Sequence, residues 1–118
     1  MLLYDKKTKL DVRIYYEDTD AGGVVYHSRY LNFAERARAE HFRNLSLNQR
    51  DVIKLYKVYF VVRELEVKYI SFCKLDDLIK IVTSIKEINR VKIIFSHTIY
   101  KKNEIINSML IQICCINS

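Results

Sequence analysis

The segment Tyr15-Tyr16-Glu17-Asp18-Thr19-Asp20-Ala21-Gly22-Gly23-Val24-Val25-Tyr26-His27-Ser28-Arg29-Tyr30 holds the densest set of chemically able side chains in the sequence. Three acids, Glu17, Asp18 and Asp20, fall on a turn directly ahead of a helical pattern. The unbonded N–H groups at a helix start, together with the helix dipole, stabilise negative charge placed there. Asp and Gly also make turns with no chemistry attached, and the residues alone leave both readings open. Gly22-Gly23 are the only two glycines in the chain, so the turn that contains them is where the backbone most needs their freedom.

Metal chemistry is excluded by spacing. Asp18-x-Asp20-x-Gly22 imitates the opening of a calcium loop, but the twelfth position is Arg29, a cation where a bidentate Glu belongs. His27, His41, His97, Cys73, Cys114 and Cys115 include no pair at a zinc-ligand spacing, and the cysteines are expected to be buried packing residues. His97 shares the apolar phase of Ile93, Phe95 and Ile99, which predicts a core histidine.

The elements that position this segment follow from periodicity. Leu10 to Glu17 is rich in β-branched and aromatic residues and predicts a strand with Val12, Ile14 and Tyr16 on one face. From about Ser28, a candidate N-cap, to Leu45, the residues Tyr30, Phe33, Ala34, Ala37 and His41 recur at helical spacing. Ser46 to Lys57 reads as a loop with a short helical turn, and strand character returns at Val58. Leu65, Val67 and Tyr69 then alternate with Glu64, Glu66 and Lys68, which predicts one buried and one wet face. Leu78 to Ile88, Val91 to Tyr100 and Ile105 to Ile116 also alternate, separated by Asp76-Asp77, Asn89-Arg90 and Lys102-Asn103. The expected fold is α+β, one long helix wrapped by a mainly antiparallel sheet of about five strands, in a single domain over 1–118. Long strands with an unprotected edge give a reason to dimerise.

Half of the 118 residues are apolar, enough for a real core. No stretch approaches the ~20 apolar residues that span a bilayer, and charge follows the first four residues too soon for a signal core, so a cytoplasmic product without a transmembrane segment is expected. The net charge of +6 suits nucleic acid, headgroups or a polyphosphorylated ligand without choosing among them. Single-strand binding needs exposed aromatics along a basic groove, whereas the tyrosines here mostly alternate into predicted buried faces; no nucleic acid is expected.

The run Val12-Arg13-Ile14-Tyr15-Tyr16-Glu17-Asp18-Thr19-Asp20-Ala21-Gly22-Gly23-Val24-Val25-Tyr26-His27 resembles the YbgC-like acyl-CoA thioesterases associated with the Tol-Pal system, relatives of 4-hydroxybenzoyl-CoA thioesterase. Glu35-Arg36-Ala37-Arg38, Phe60-Val61-Val62-Arg63 and Leu75-Asp76-Asp77 extend the likeness over nearly the whole chain. The resemblance implies a hotdog fold, homodimers or homotetramers, and hydrolysis of acyl-CoA thioesters with no cofactor beyond the coenzyme A of the substrate. It places the catalytic carboxylate on Asp20 with Asp18 in support, and the helix-start amide that polarises the thioester carbonyl at His27, whose imidazole is a second catalytic candidate. A backbone N–H at a helix end is preorganised for the charge that a thioester carbonyl develops. Asp20 then attacks the carbonyl directly or acts as base on a water. Gly22, Gly23, Val24 and Tyr26 join Asp18 as substrate-binding candidates, and Arg63, Arg90 and Lys92 are candidates for the phosphates of coenzyme A. Glu35 is expected to be a solvated ion-pair partner of Arg36 or Arg38 and stays outside the catalytic set.

Two departures from the family pattern stand out. Ile70-Ser71-Phe72-Cys73-Lys74 replaces the usual Pro and small residues, which is expected to reshape the acyl tunnel, and the sequence stops at Ser118 where family members continue. The rival expectation is a non-catalytic hotdog adaptor for an acyl carrier protein or a Tol-Pal partner, against which the intact Asp20 and Gly22-Gly23 argue.

Overall fold

The computed structural model describes residues 6–46, 50, 54 and 58–117. Strand β1 (Lys7–Arg13) leads through a 3-10 turn at Tyr16–Asp18 into helix α1 (Arg29–Asn44). Strands β2 (Val58–Tyr69), β3 (Leu78–Ile88), β4 (Lys92–Lys101) and β5 (Glu104–Asn117) follow. All pair antiparallel in one sheet of order β1-β3-β4-β5-β2. The expected α+β architecture is thus present, and most of the expected loop between Ser46 and Lys57 lies outside the described residues.

Helix α1 buries Tyr30, Phe33, Ala34, Ala37, Arg38, His41 and Phe42 against the concave face of the sheet, which includes all five residues of the stripe read from the sequence. Burying one large apolar side chain such as Phe33 contributes roughly 1.5–3 kcal/mol. Ile79, Ile81, Ile85, Phe95, Ile99, Met109, Ile111 and Ile113 complete the core from β3, β4 and β5. His97 is fully buried among them, as its phase predicts. Arg38 Nη1 lies 3.3 Å from His97 Nε2, and Thr83 Oγ1 lies 2.8 Å from His97 Nδ1. Because arginine only donates, Nε2 must accept, so His97 is neutral with its proton on Nδ1 shared with Thr83. Burial, then the positive charge of Arg38, pushes His97 down to about 3.

Five sequence expectations need correction. β1 ends at Arg13 rather than Glu17, because the Asp18 carboxylate captures the Tyr15 N–H (2.9 Å) and coils the following residues into the 3-10 turn. Tyr16 is consequently exposed instead of lying on a face with Val12 and Ile14. Ser28 occupies the N-cap position of α1 but in a helical conformation, with no side-chain cap bond. Of the cysteines only Cys73 is buried; Cys114 is half-buried and Cys115 exposed, near the end of β5. Of the expected buried face of β2, Val67 is partly buried and packs against the core, but Leu65 and Tyr69 are 45 and 48 % exposed, as is Val62 nearby at 49 %. Several tyrosines, Tyr15, Tyr16, Tyr26, Tyr59 and Tyr69, are also exposed, since they sit on the loop or on this edge strand.

β2 is only partly covered because α1 packs mainly on β1 and β3 and reaches the far edge of the concave face through a few side chains, Phe42 on Phe60 and Tyr30 on Tyr69. The register shows which β2 residues point that way. Tyr69 pairs with Asn107, Val67 with Met109, Leu65 with Ile111 and Val62 with Ile113, all partners on the buried face of β5.

Candidate active site

The loop between the 3-10 turn and α1 is a tight hairpin closed by its own backbone. Thr19 bridges Val25, the Asp20 N–H donates to the Val24 carbonyl (2.9 Å), and the Tyr26 N–H donates to the Asp18 carbonyl (3.0 Å). At its tip the Gly22 N–H donates to Asp20 Oδ1 (2.8 Å). A Cβ on Gly22 would stand 3.2 Å from that same oxygen, and Gly23 has φ +82°, so each glycine meets a separate requirement of the turn. Asp20 is exposed, with one oxygen oriented by the turn and the other free of donors among the described residues.

Asp18 has a different task. Its carboxylate is 5 % exposed and takes the Tyr15 N–H on one oxygen and Arg29 Nε and Nη2 on the other (3.0 and 2.7 Å). Arg29 opens α1, so this charge-assisted pair clamps the loop to the first turn of the helix. Val25 is buried, and its N–H donates to the Cys73 carbonyl (3.0 Å), while Val24 bridges Lys74. The hairpin is therefore fixed to the segment after β2 as well.

His27 is exposed at the start of α1, its ring 4.4 Å from that of Tyr26 and 6.4 Å from that of Tyr69. The Tyr69 hydroxyl donates to the His27 carbonyl (3.0 Å), which ties the helix start to the end of β2. Among the described residues nothing accepts the His27 N–H, leaving it available to an incoming oxygen. Beneath lies Tyr30, its hydroxyl 3.4 Å from the Cys73 sulfur and raised in pKa first by burial and then by that contact.

The loop thus gathers Asp18, Asp20, Gly22, Gly23, Val24, Tyr26 and His27. It does not gather Arg63, Arg90 or Lys92. Arg63 is the bulged residue of β2 between Val62 and Glu64, six residues from Tyr69, or about 20 Å at strand rise. Arg90 sits exposed in the β3–β4 turn, which Asn89 builds by accepting the N–H groups of Val91 and Lys92, and Lys92 pairs with Glu87 at 3.3 Å. Arg90 and Lys92 lie at the β3–β4 turn, the end of the sheet remote from the hairpin, and Arg63 lies in the middle of β2. Glu35 is exposed on α1 without an ion pair among the described residues, although its charge acts on buried Arg38. A groove of about 560 Å³ between β1 and α1, lined by Arg13, Arg36 and Arg43 among others, touches Asp18 but neither Asp20 nor His27. The described residues include no cluster of three His, Cys, Asp or Glu able to hold a metal, and no helix long and apolar enough to cross a membrane.

Two residues were not read as part of the site from the sequence: Tyr69, placed only on a β2 face but found in contact with His27, and Asn107, its partner on β5. Asn107 had a signal, since it is a polar residue in phase with Met109, Ile111 and Ile113.

A carboxylate on a glycine turn, a free N–H at a helix start and a single antiparallel sheet around that helix define a class, the hotdog-fold thioesterases. The model of the thioesterase-like superfamily matches residues 14–118, and the chain belongs to that family. It is 37% identical over 115 residues to the acyl-CoA thioesterase YbgC of Haemophilus influenzae, covering 98% of this chain and 85% of that protein. It is 39% identical to the acyl-CoA thioester hydrolase YbgC of Escherichia coli, with coverage of 90% and 79%. The crystal structure of a probable thioesterase from Bartonella henselae superposes with a TM-score of 0.91 at 30% identity, over 96% of this chain and 94% of that one.

Proposed function

We propose that this protein hydrolyses acyl-CoA thioesters to free acid and coenzyme A, with Asp20 as the catalytic carboxylate and the His27 N–H as oxyanion donor. The observation that carries this reading is the hairpin tip. Asp20 presents a carboxylate oriented by the Gly22 N–H and open to solvent, ahead of a helix start whose His27 N–H has no acceptor among the described residues. Asp20 attacks the thioester carbonyl or deprotonates a water that does, and the His27 N–H receives the charge that builds on the carbonyl oxygen. The intact turn speaks against the adaptor reading, which would not need Asp20 oriented and free.

The same reading makes the active form a homodimer. β2 carries unpaired backbone along its edge and half-exposed Val62, Leu65 and Tyr69 beside the site. Antiparallel pairing of two β2 strands across a two-fold axis covers both. Arg63, in the middle of β2, would then lie along the seam between the two copies, where it stays a candidate for coenzyme A phosphates together with Arg90 and Lys92. Asp18 then acts through Arg29 on the loop rather than on the substrate. An acyl carrier protein is a further acyl donor that fits this chemistry, and the cytoplasm is the compartment that supplies either donor.

The test is a panel of acyl-CoA thioesters read by free-thiol release. Turnover that disappears in Asp20→Asn supports the reading, and a folded wild-type protein that releases no thiol from any member refutes it.

A further inference from the structure

Asn107 is 0 % exposed, and neither its amide nitrogen nor its carbonyl oxygen has a hydrogen-bond partner among the described residues. A buried amide left this way costs on the order of 1–3 kcal/mol for each unmet group, so its persistence calls for an occupant. Its position suggests one. Asn107 pairs with Tyr69 on one side and Ile99 on the other, all three on the concave face, and Tyr69 reaches from there to the His27 carbonyl and the Tyr30 ring. On the β2 side the half-exposed ring of Tyr69 is its neighbour. The amide is thus the unmet polar group on the sheet floor behind the aromatic cluster at the helix start.

A lone buried water satisfies such a site poorly, because buried waters make about three hydrogen bonds. The cross-strand neighbours offer it few: Ile99 is apolar, and the Tyr69 hydroxyl gives its one proton to the His27 carbonyl. A hydroxyl suits it better, since it accepts from the amide N–H and donates to the amide oxygen at the same time. We infer that Asn107 is a specificity-determining residue that binds a hydroxyl carried by the acyl group, admitted past the Tyr69 ring. The inference rests on the thioesterase reading and deepens it from acyl-CoA in general to hydroxylated acyl chains.

Matched thioesters test it: 3-hydroxybutanoyl-CoA against butanoyl-CoA, and a longer pair hydroxylated at the terminal carbon. Sites built to bond a substrate hydroxyl discriminate strongly against analogues that lack it. The expected kcat/KM ratio within at least one pair is about tenfold or more in favour of the hydroxylated member, collapsing toward one in Asn107→Leu. A ratio near one in every pair with the wild type overturns the inference, as does a preference that survives Asn107→Leu or an equal loss on both members, which marks a merely structural residue. If Asn107→Leu does not fold, non-hydrolysable thioether analogues decide on the unaltered protein. The hydroxylated analogue must then raise Tm more than its plain counterpart, and equal shifts overturn the inference. Hydrolysis of plain thioesters without discrimination refutes only Asn107, whereas hydrolysis of none refutes the enzyme reading and the inference together.

Discussion

Replacing Asp20 by Asn keeps the side chain's shape and its contact with the Gly22 N–H while removing the ability to attack or to take a proton. Turnover is expected to fall by about 100-fold or more, with the circular dichroism spectrum unchanged. Asp18→Asn acts elsewhere. It weakens a pair that clamps the loop to Arg29, so thermal stability should drop, by ~1–3 kcal/mol for a buried charge-assisted contact, and the remaining activity should follow the folded fraction. Thermal melts beside initial rates separate the two variants. Composition and spacing brought Asp18 and Asp20 forward together because both are acids on one turn, and only the family resemblance ranked Asp20 above Asp18. What separates them is burial and the direction of Arg29, neither of which has a sequence signature. Asn107 went unseen for the opposite reason, since a single polar residue in an apolar alternation is easily taken for noise.

At the level of elements, β3, β4 and β5 were legible almost to the residue because their alternation is buried on one face within a single chain. The start of α1 was legible too, but β1 was over-extended because Tyr15 and Tyr16 carry strand propensity that a local hydrogen bond to Asp18 overrides. The packing of α1 on β4 has a measurable pH signature. His97 is held neutral down to about 3 by burial and by Arg38, while an unfolded histidine protonates near ~6.5. Between those values the unfolded chain binds the extra proton, so stability rises with pH through this window and is lost as pH falls from about 6.5 toward 3. Burial also depresses His41, which adds in the same direction. Melting temperatures across that range should show a shallower slope in His97→Gln, which can still meet Arg38 and Thr83 without a titrating ring. An unchanged slope would remove His97 from this account.

For the whole molecule, the alternation in β2 was read correctly as a pattern and wrongly as burial within one chain. Leu65, in phase with buried Ile111, is nearly half exposed, as expected for a surface completed by a second copy. Leu65→Lys should therefore shift the particle from dimer to monomer in multi-angle light scattering and lower activity with it. Raising ionic strength should raise KM more than it lowers kcat, because contacts to coenzyme A phosphates are screened over about 10 Å at 0.1 M salt. Charge reversal at Arg63 or Arg90 should act in the same way, and a KM indifferent to both places the phosphates elsewhere. A sheet that joins through one edge still has another, and here the remaining edge is β1, only seven residues long. Lys7, Lys9, Asp11 and Arg13 stand exposed along it, alternating with Thr8, Leu10 and Val12, which turn inward. Two copies joined at β2 would bear these short, mostly cationic strands at both ends, and like charges would meet wherever two such ends approached. In such a dimer β1 would work as a chain terminator, halting at two subunits a polymerisation that the same backbone chemistry would otherwise carry on into a fibre.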